Sequence, residues 1–294
     1  MTQKVAFIGL GVMGFPMAGH LANAGFQVMV YNRTTSKAKS WCEQFPGNYA
    51  ETPAEAAKQA DIVCCCVGND DDLRQVTVGP EGAFAGMQAG TIFIDHTTAS
   101  AEVARELAQE AGNRQITFYD APVSGGQAGA ENGQLTIMIG GPKEQFEQIL
   151  LLLNCYARFA KLMGEVGSGQ LTKMVNQICI AGIVQGLSEG MHFAKSANLD
   201  VAAVIEVISK GAAQSWQMEN RHQTMLAGEY NHGFAVDWMR KDLAIVFDEA
   251  RRNHSHLPIT AVVDQFYSEV QAMGGSRWDT SSLFAVLESK RFKH

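Results

Sequence analysis

Three glycines, Gly9, Gly11 and Gly14, open the chain in the spacing G-x-G-x-x-G, after an apolar run over residues 4 to 8 and before helical periodicity at Met13, Met17, Leu21 and Ala24. In a strand, turn and helix setting the first glycine makes the tight turn, the second admits a pyrophosphate close to the backbone, and the third lets helix and strand pack. The N–H groups at the helix start, together with the positive end of its dipole, then attract phosphate. Gly9, Leu10, Gly11, Val12, Met13 and Gly14 are therefore the expected cradle of a dinucleotide; the alternative is a glycine-rich turn that binds nothing. A second strand, 27 to 31, ends where an NAD site places Asp or Glu against the ribose 2′-OH. This chain carries Asn32, Arg33 and Thr34 there. The planar fork of Arg33 suits a 2′-phosphate, with Asn32 and Thr34 as further donors. One charge-assisted bond of that kind is worth roughly 1.5–3 kcal/mol, or about tenfold to a hundredfold in affinity. These residues predict NADP, with NAD bound more weakly. A helix cap at Thr34 or Thr35 beside a solvent-facing arginine is the competing explanation.

Two further segments carry chemistry. Asp120-Ala-Pro-Val-Ser124-Gly125-Gly126 follows an expected strand, which places it at the carboxyl edge of a sheet, where open α/β folds bind ligands. Ser124, Gly125 and Gly126 can aim one hydroxyl and backbone N–H groups at a carboxylate, although a plain glycine turn after Pro122 has the same composition. Gly167-Ser-Gly169-Gln-Leu-Thr-Lys173-Met-Val-Asn176-Gln177 opens a long helix, and Lys173, Asn176 and Gln177 stand at i, i+3 and i+4, on one face. A lysine this early in a helix meets the wrong end of the macrodipole, and burial beside a nicotinamide cation also disfavours its charge, so both effects favour proton transfer. Taken alone, such a lysine is more often solvated.

The elements that must position these residues are legible as alternating patterns. Strand-like runs at 4–8, 27–31, 61–67, 91–94 and 116–119 alternate with helical stretches near 13–24, 34–45, 53–59, 70–77 and 99–112, which implies an α/β fold with a doubly wound parallel sheet. Two more strands, 134–140 and 156–161, flank a helix at 142–153. From residue 168 onward the chain is helical, with elements near 170–197, 200–209, 216–227, 236–253, 258–273 and 281–288. The first of these, at ~28 residues, would span roughly 42 Å, enough to join two domains. Its all-round apolarity implies burial on most sides, and Gly182, Gly186 and Gly190 would let another helix approach closely. The boundary falls within Met163 to Gly169, giving a Rossmann-type NADP-binding domain over 1–164 and an all-helical domain for substrate and oligomerisation over 165–294.

Composition narrows the rest. A 294-residue chain with 46% hydrophobic residues can bury two cores. Its net charge of −7 argues against nucleic acid or an anionic membrane as the principal partner. The first strand leads straight into the fingerprint, so no leader is expected and the protein is placed in the cytoplasm. Cys64, Cys65 and Cys66 sit in an apolar run as small hydrophobes, and the six cysteines form neither a disulfide framework nor a C-x-x-C pair. His254 and His256 read as a polar loop, and no metal site is expected.

In motif order and spacing the chain resembles the β-hydroxyacid dehydrogenase family, the group of 3-hydroxyisobutyrate dehydrogenase, tartronate semialdehyde reductase and the glyoxylate and succinic semialdehyde reductases. The resemblance runs end to end. It rests on Phe7 to Ala18, Asp120 to Gly126, Gly167 to Gln177, and Lys241-Asp242-Leu243. It implies a Rossmann-type domain, a long interdomain helix, an all-α domain and an active site in the cleft between the domains. By the same resemblance Ser124, Gly125 and Gly126 hold the substrate carboxylate, Lys173 is the acid/base, and Asn176 supports the substrate hydroxyl. Lys241 reaches toward the cofactor, while Val67 and Thr97 line the nicotinamide ribose. Gln177 departs from the second asparagine of several members. The implied activity is NADP-dependent interconversion of a short β-hydroxy acid and its semialdehyde or keto acid, in a homodimer or homotetramer. An imine reductase of the same architecture usually replaces the lysine; a 6-phosphogluconate dehydrogenase is much longer and has histidine at the position of Asn176. A non-catalytic NADP-binding protein is the remaining alternative.

Overall fold

Strands buried on both faces read as unbroken apolar runs, and three here do so because helices cover both sides of the sheet. In the computed structural model, which describes residues 3–290, the first unit begins β1 (Lys4–Ile8), α1 (Gly14–Asn23), β2 (Gln27–Tyr31), α2 (Thr35–Gln44), β3 (Asn48–Tyr49), α3 (Pro53–Ala57) and β4 (Ile62–Cys65). It continues with α4 (Asp70–Thr77), α5 (Ala83–Gly86), β5 (Ile92–Asp95), α6 (Ala101–Gly112) and β6 (Thr117–Asp120). β1, β4 and β5 are the buried runs. Their side chains alternate between two cores: Val5, Phe7 and Cys64 join Trp41 and Tyr156 on one face, while Ala6, Ile8 and Cys65 join Phe93 and Phe118 on the other.

The strand order β3-β2-β1-β4-β5-β6 is parallel throughout. The order in which strands are added reverses between β1 and β4, so the carboxyl edge there is the topological switch point at which such sheets take ligands. Beyond β6 the strand direction, which the sequence patterns leave open, changes. Val123–Ser124 form β7 instead of part of a loop, followed by α7 (Gly126–Glu131), β8 (Leu135–Gly140), α8 (Phe146–Leu153) and β9 (Ala157–Gly164). β8 runs antiparallel to β6 and β7 and parallel to β9. Ten residues, 125–134, separate β7 from β8, and six of them are α7. A parallel return needs a crossover of about a dozen residues or more, so the chain reverses.

α9 (Ser168–Ser196) carries the chain from the first compact unit, which ends at Lys173, into the second, which starts at Met174. The second unit is all helical: α10 (Val201–Ile208), α11 (Trp216–Ala227), α12 (Val236–Asn253), α13 (Pro258–Ala272), a 3₁₀ turn at Thr280–Ser282, and α14 (Leu283–Ser289). Ser215 caps α11 by accepting from Met218 N–H, and Gly228, at φ +70°, ends it in a left-handed conformation. Ala181, Val184, Val236, Leu243 and Tyr267 form one core of this unit, and Leu187, Met191, Ile205 and Phe284 a second.

A Cβ placed on Gly182, Gly186 or Gly190 would meet nothing within 4 Å, so among the described residues no other helix approaches them. Val175, Ile183 and Phe193 are exposed as well. The helix is thus buried along one face and open along another.

Candidate active site

Backbone geometry around the glycine fingerprint explains each glycine separately. Gly9 has φ +96°, and a Cβ there would lie 2.2 Å from the Cys66 carbonyl oxygen. At Gly14 a Cβ would lie 1.9 Å from the Gly9 carbonyl oxygen. Gly11 is the opposite case, since its Cβ would project into open space. That space is where a diphosphate would approach the backbone. α1 starts without a side-chain cap, Met13 standing at the cap position, and without an acidic residue in its first turn. Phe15 N–H donates to the Gly11 carbonyl and Pro16 has no N–H, so an anion would be met by the N–H groups of the Gly11–Gly14 turn and the positive end of the helix dipole. Leu10 is buried, Val12 is exposed and Met13 packs against the core. The residues present fit a dinucleotide.

Asn32 pins this loop to the end of β2. Its Oδ1 accepts from Leu10 N–H at 2.9 Å and its Nδ2 donates to the Thr34 carbonyl at 3.1 Å. Arg33 is 76% exposed and pairs through Nη1 with Asp72 Oδ1 at 3.0 Å. Thr34 occupies the cap position of α2 but its side chain makes no capping bond. Arg33 is thus the accessible cation of the three residues, held by a carboxylate that a 2′-phosphate would have to displace.

The ends of β4 and β5 are joined where Val67 N–H donates to Thr97 Oγ1 at 3.0 Å. Thr97 N–H in turn donates to Asp95 Oδ1 at 2.9 Å. Past β6, Ser124 closes β7, and Gly125 (φ +133°) and Gly126 (φ +61°) turn the chain into α7. Two successive positive φ values make this turn accessible to glycine alone at low strain. A Cβ on Gly126 would meet open space.

On α9, Gln170, Lys173 and Gln177 are buried polar residues of one helical face. Lys173 is 8% exposed. Asn176 Nδ2 donates to Gln177 Oε1 at 2.7 Å, and Gln177 Nε2 donates to Asp242 Oδ2 at 2.7 Å. Lys241 Nζ lies 3.0 Å from Asp242 Oδ1 and stands over the Trp238 ring. Asn176, Gln177, Asp242 and Lys241 thus form one polar chain in the second unit, with both ends of the Gln177 amide engaged inside it. Asp242 has no role legible in the sequence beyond its adjacency to Lys241; the fold makes it the acceptor for Gln177. Arg221 Nε pairs with buried Asp279 at 3.2 Å and its guanidinium stacks on Trp216, a structural role. Asp279 also accepts from Phe234 N–H, and Asn220 bonds the Trp216 carbonyl.

Burial sets the protonation of the polar groups behind the sheet edge. It pushes the Asp95 carboxyl up to about 7 against the opposing bonds from Thr97, with Asp120 and Asp70 adding to the rise. Asp120 is pushed to about 6 by burial, opposed by N–H groups of Gly167 and Gln170. His96 falls to about 4 because burial penalises the imidazolium. A neutral ring donates from Nδ1 to the Ala121 carbonyl and accepts at Nε2 from the Tyr156 hydroxyl. Cys64 rises to about 12 by burial, so it behaves as core.

Residues 4–167 match the family model described as the NAD binding domain of 6-phosphogluconate dehydrogenase, and residues 167–287 match that described as NAD-binding of NADP-dependent 3-hydroxyisobutyrate dehydrogenase. An uncharacterized oxidoreductase of Shewanella frigidimarina is 67% identical over 98% of this chain and 99% of its own. The 2-hydroxy-3-oxopropionate reductase of Escherichia coli is 32% identical over 97% of both. Among solved structures, Mycobacterium tuberculosis 3-hydroxyisobutyrate dehydrogenase with L-serine superposes with a TM-score of 0.88 at 25% identity, covering 98% of this chain and 99% of that one. The chain belongs to the β-hydroxyacid dehydrogenase family of NAD(P)-dependent oxidoreductases.

Proposed function

We propose that the protein is an NADP-preferring oxidoreductase that interconverts a short β-hydroxy acid and its semialdehyde or keto acid, with Lys173 moving the proton. The observation that carries the lysine's role is its 8% exposure on the polar face of α9. Lysine is almost never withdrawn from water this far in a protein interior without a specific task or partner. The substrate class follows from the printed activities of the relatives, a 2-hydroxy-3-oxopropionate reductase and a 3-hydroxyisobutyrate dehydrogenase.

When bound, the nicotinamide exchanges a hydride with the substrate carbon that carries the oxygen. In reduction, Lys173 donates a proton to that oxygen as negative charge develops on it. In oxidation, neutral Lys173 takes the hydroxyl proton. Ser124 Oγ and the N–H groups of Gly125 and Gly126 hold the substrate carboxylate, and Asn176 orients the hydroxyl through an amide fixed by Gln177. Val67, Thr97 and Lys241 line the cofactor. Arg33 and Thr34 take the 2′-phosphate, a reading supported by the exposure of Arg33 and by the lack of Asp or Glu at 32–34. In this assignment residues 1–164 are the NADP-binding domain, with Ser124 to Gly126 serving the substrate, and residues 165–294 the domain for substrate and oligomerisation, with Lys241 serving the cofactor. The exposed apolar stripe of α9, with Val175, Ile183 and Phe193, supports a homodimer or homotetramer. Lys173 argues against an imine reductase.

Replacing Lys173 with alanine tests the assignment. Turnover should fall by at least about 10²-fold while NADPH affinity stays within about twofold. A variant keeping more than about a tenth of wild-type turnover rejects the role, because general acid–base catalysis contributes more than that.

A further inference from the structure

Asp120 ends β6 completely buried, and its two carboxylate oxygens are spent on one helix start. Oδ1 accepts from Gly167 N–H at 2.7 Å and Oδ2 from Gln170 N–H at 2.8 Å. The fit is close enough to require glycine on both sides of the contact. A Cβ on Gly169 would lie 2.5 Å from the Met138 carbonyl oxygen and 2.7 Å from that of Asp120, and a Cβ on Gly140 would lie 2.4 Å from Asp120 Oδ1. Gln170, itself fully buried, fastens the same turn to a second strand: its Nε2 donates to the Thr97 carbonyl at 2.7 Å and its Oε1 accepts from Ala99 N–H at 3.1 Å. Thr97 is bonded in turn to Val67 N–H. The first turn of α9 is thereby tied to the carboxyl ends of β4, β5 and β6 together.

Lys173 follows Gln170 by three residues, one helical turn on and on the same buried face. Resting on the reading of Lys173 as the proton-transfer group, we propose that Asp120 and Gln170 are its positioning residues, the pair that fixes the first turn of α9 so that the lysine stands at a set point on the sheet edge. A serine or threonine cap would satisfy one N–H. The carboxylate spans two, three residues apart, and so fixes the rotation of the helix as well as its end. Burying that anion is unfavourable, as its raised protonation range records, and the two charge-assisted bonds offset the cost. Displacement of a reacting group by about 1 Å costs on the order of 10²-fold in rate, so the cap is expected to act on turnover.

The experiment compares Asp120→Asn and Gln170→Met, each alone and combined with Lys173→Ala, using glyoxylate and succinic semialdehyde as probes with NADPH. Gln170→Met keeps the side-chain volume and leaves the Asp120 cap in place, so a folded variant is available even where Asp120→Asn does not fold. Each single variant should lose about tenfold or more in kcat, with KM for the aldehyde and Kd for NADPH changed less than about threefold. Added to Lys173→Ala, each should cost less than about twofold further, because a group that acts through the lysine has nothing left to act on. A residue that only stabilises the fold would lower Tm and leave that coupling at zero. Full turnover in folded Gln170→Met beside an inactive Lys173→Ala overturns the inference alone, as does an equal loss in the presence and absence of the lysine. Retained turnover in Lys173→Ala removes the lysine reading, and the positioning role with it.

Discussion

α1 and α9 both begin at glycine-rich turns on the carboxyl edge of the same sheet, and their N-termini are finished in opposite ways. α1 has no side-chain cap and no acid in its first turn, and its middle glycine faces open space. α9 is closed from within: Asp120 takes the N–H groups of Gly167 and Gln170, and the adjoining glycines are filled against the β6 and β8 backbone. A helix start left open is a receptor for an external anion, whereas one capped by the protein's own buried anion is an anchor. Similar glycine spacing can therefore serve a cofactor or a catalytic side chain. What the glycine's missing Cβ would touch decides which.

Substitutions at the two kinds of glycine break this comparison most sharply. Gly14→Ala places a Cβ 1.9 Å from the Gly9 carbonyl oxygen and should abolish NADPH binding together with a large loss of thermal stability. Gly11→Ala meets no atom within 4 Å, so Tm should move by less than about 2 °C while NADPH binding weakens by about tenfold or more. Equal effects on stability and binding at both positions would remove the distinction between packing glycine and receptor glycine. Calorimetric unfolding beside cofactor titration separates them.

Arg33→Ala sharpens the receptor side. NADPH affinity should fall by about tenfold to a hundredfold and NADH affinity should stay within about twofold. The Arg33–Asp72 pair is largely exposed, so its loss should cost less than about 1 kcal/mol of stability. Asp72→Ala, which frees the guanidinium, should tighten NADPH slightly. Equal losses for both cofactors in Arg33→Ala would sink the 2′-phosphate assignment.

The anchor side has a smaller signature in pH. Asp95 titrates at about 7 in the folded chain, above the ordinary carboxyl value, so the folded state holds this proton more tightly than the unfolded state. Its contribution to stability is fully present below pH ~4 and is lost as pH rises through about 7. Asp95→Asn should flatten that part of a urea midpoint series taken from pH 4 to 8. An unchanged slope would contradict the assignment of that proton to Asp95.

The receptor was legible in the sequence because its rules are local: strand, three glycines in six residues and a helical period lie within one short segment. The anchor was only half legible. Gly167 to Gln177 stood out as a motif, but Asp120 reaches it across 47 and 50 residues, and Gln170 reaches Thr97 across 73. Neither separation leaves a periodic trace, since a buried polar partner is chosen by the fold and not by spacing. The reversal of β8 was missed for a similar reason: strand direction depends on connector length, and alternation of apolar residues is the same in either direction. Apolarity along α9 predicts burial on most sides, yet the helix keeps Val175, Ile183 and Phe193 exposed. Hydrophobic pattern alone does not distinguish a face covered within the chain from one left for another molecule.

The most direct test of the account is turnover itself. Purified protein is offered glyoxylate, succinic semialdehyde, methylmalonate semialdehyde and tartronate semialdehyde, with NADPH and NADH in parallel, and cofactor oxidation is followed by absorbance. At least one of these aldehyde acids should be reduced, with kcat/KM at least about tenfold higher for NADPH, as expected if one charge-assisted bond to the 2′-phosphate decides the preference. Turnover with NADH equal to or faster than with NADPH, or none with any aldehyde acid, would contradict it.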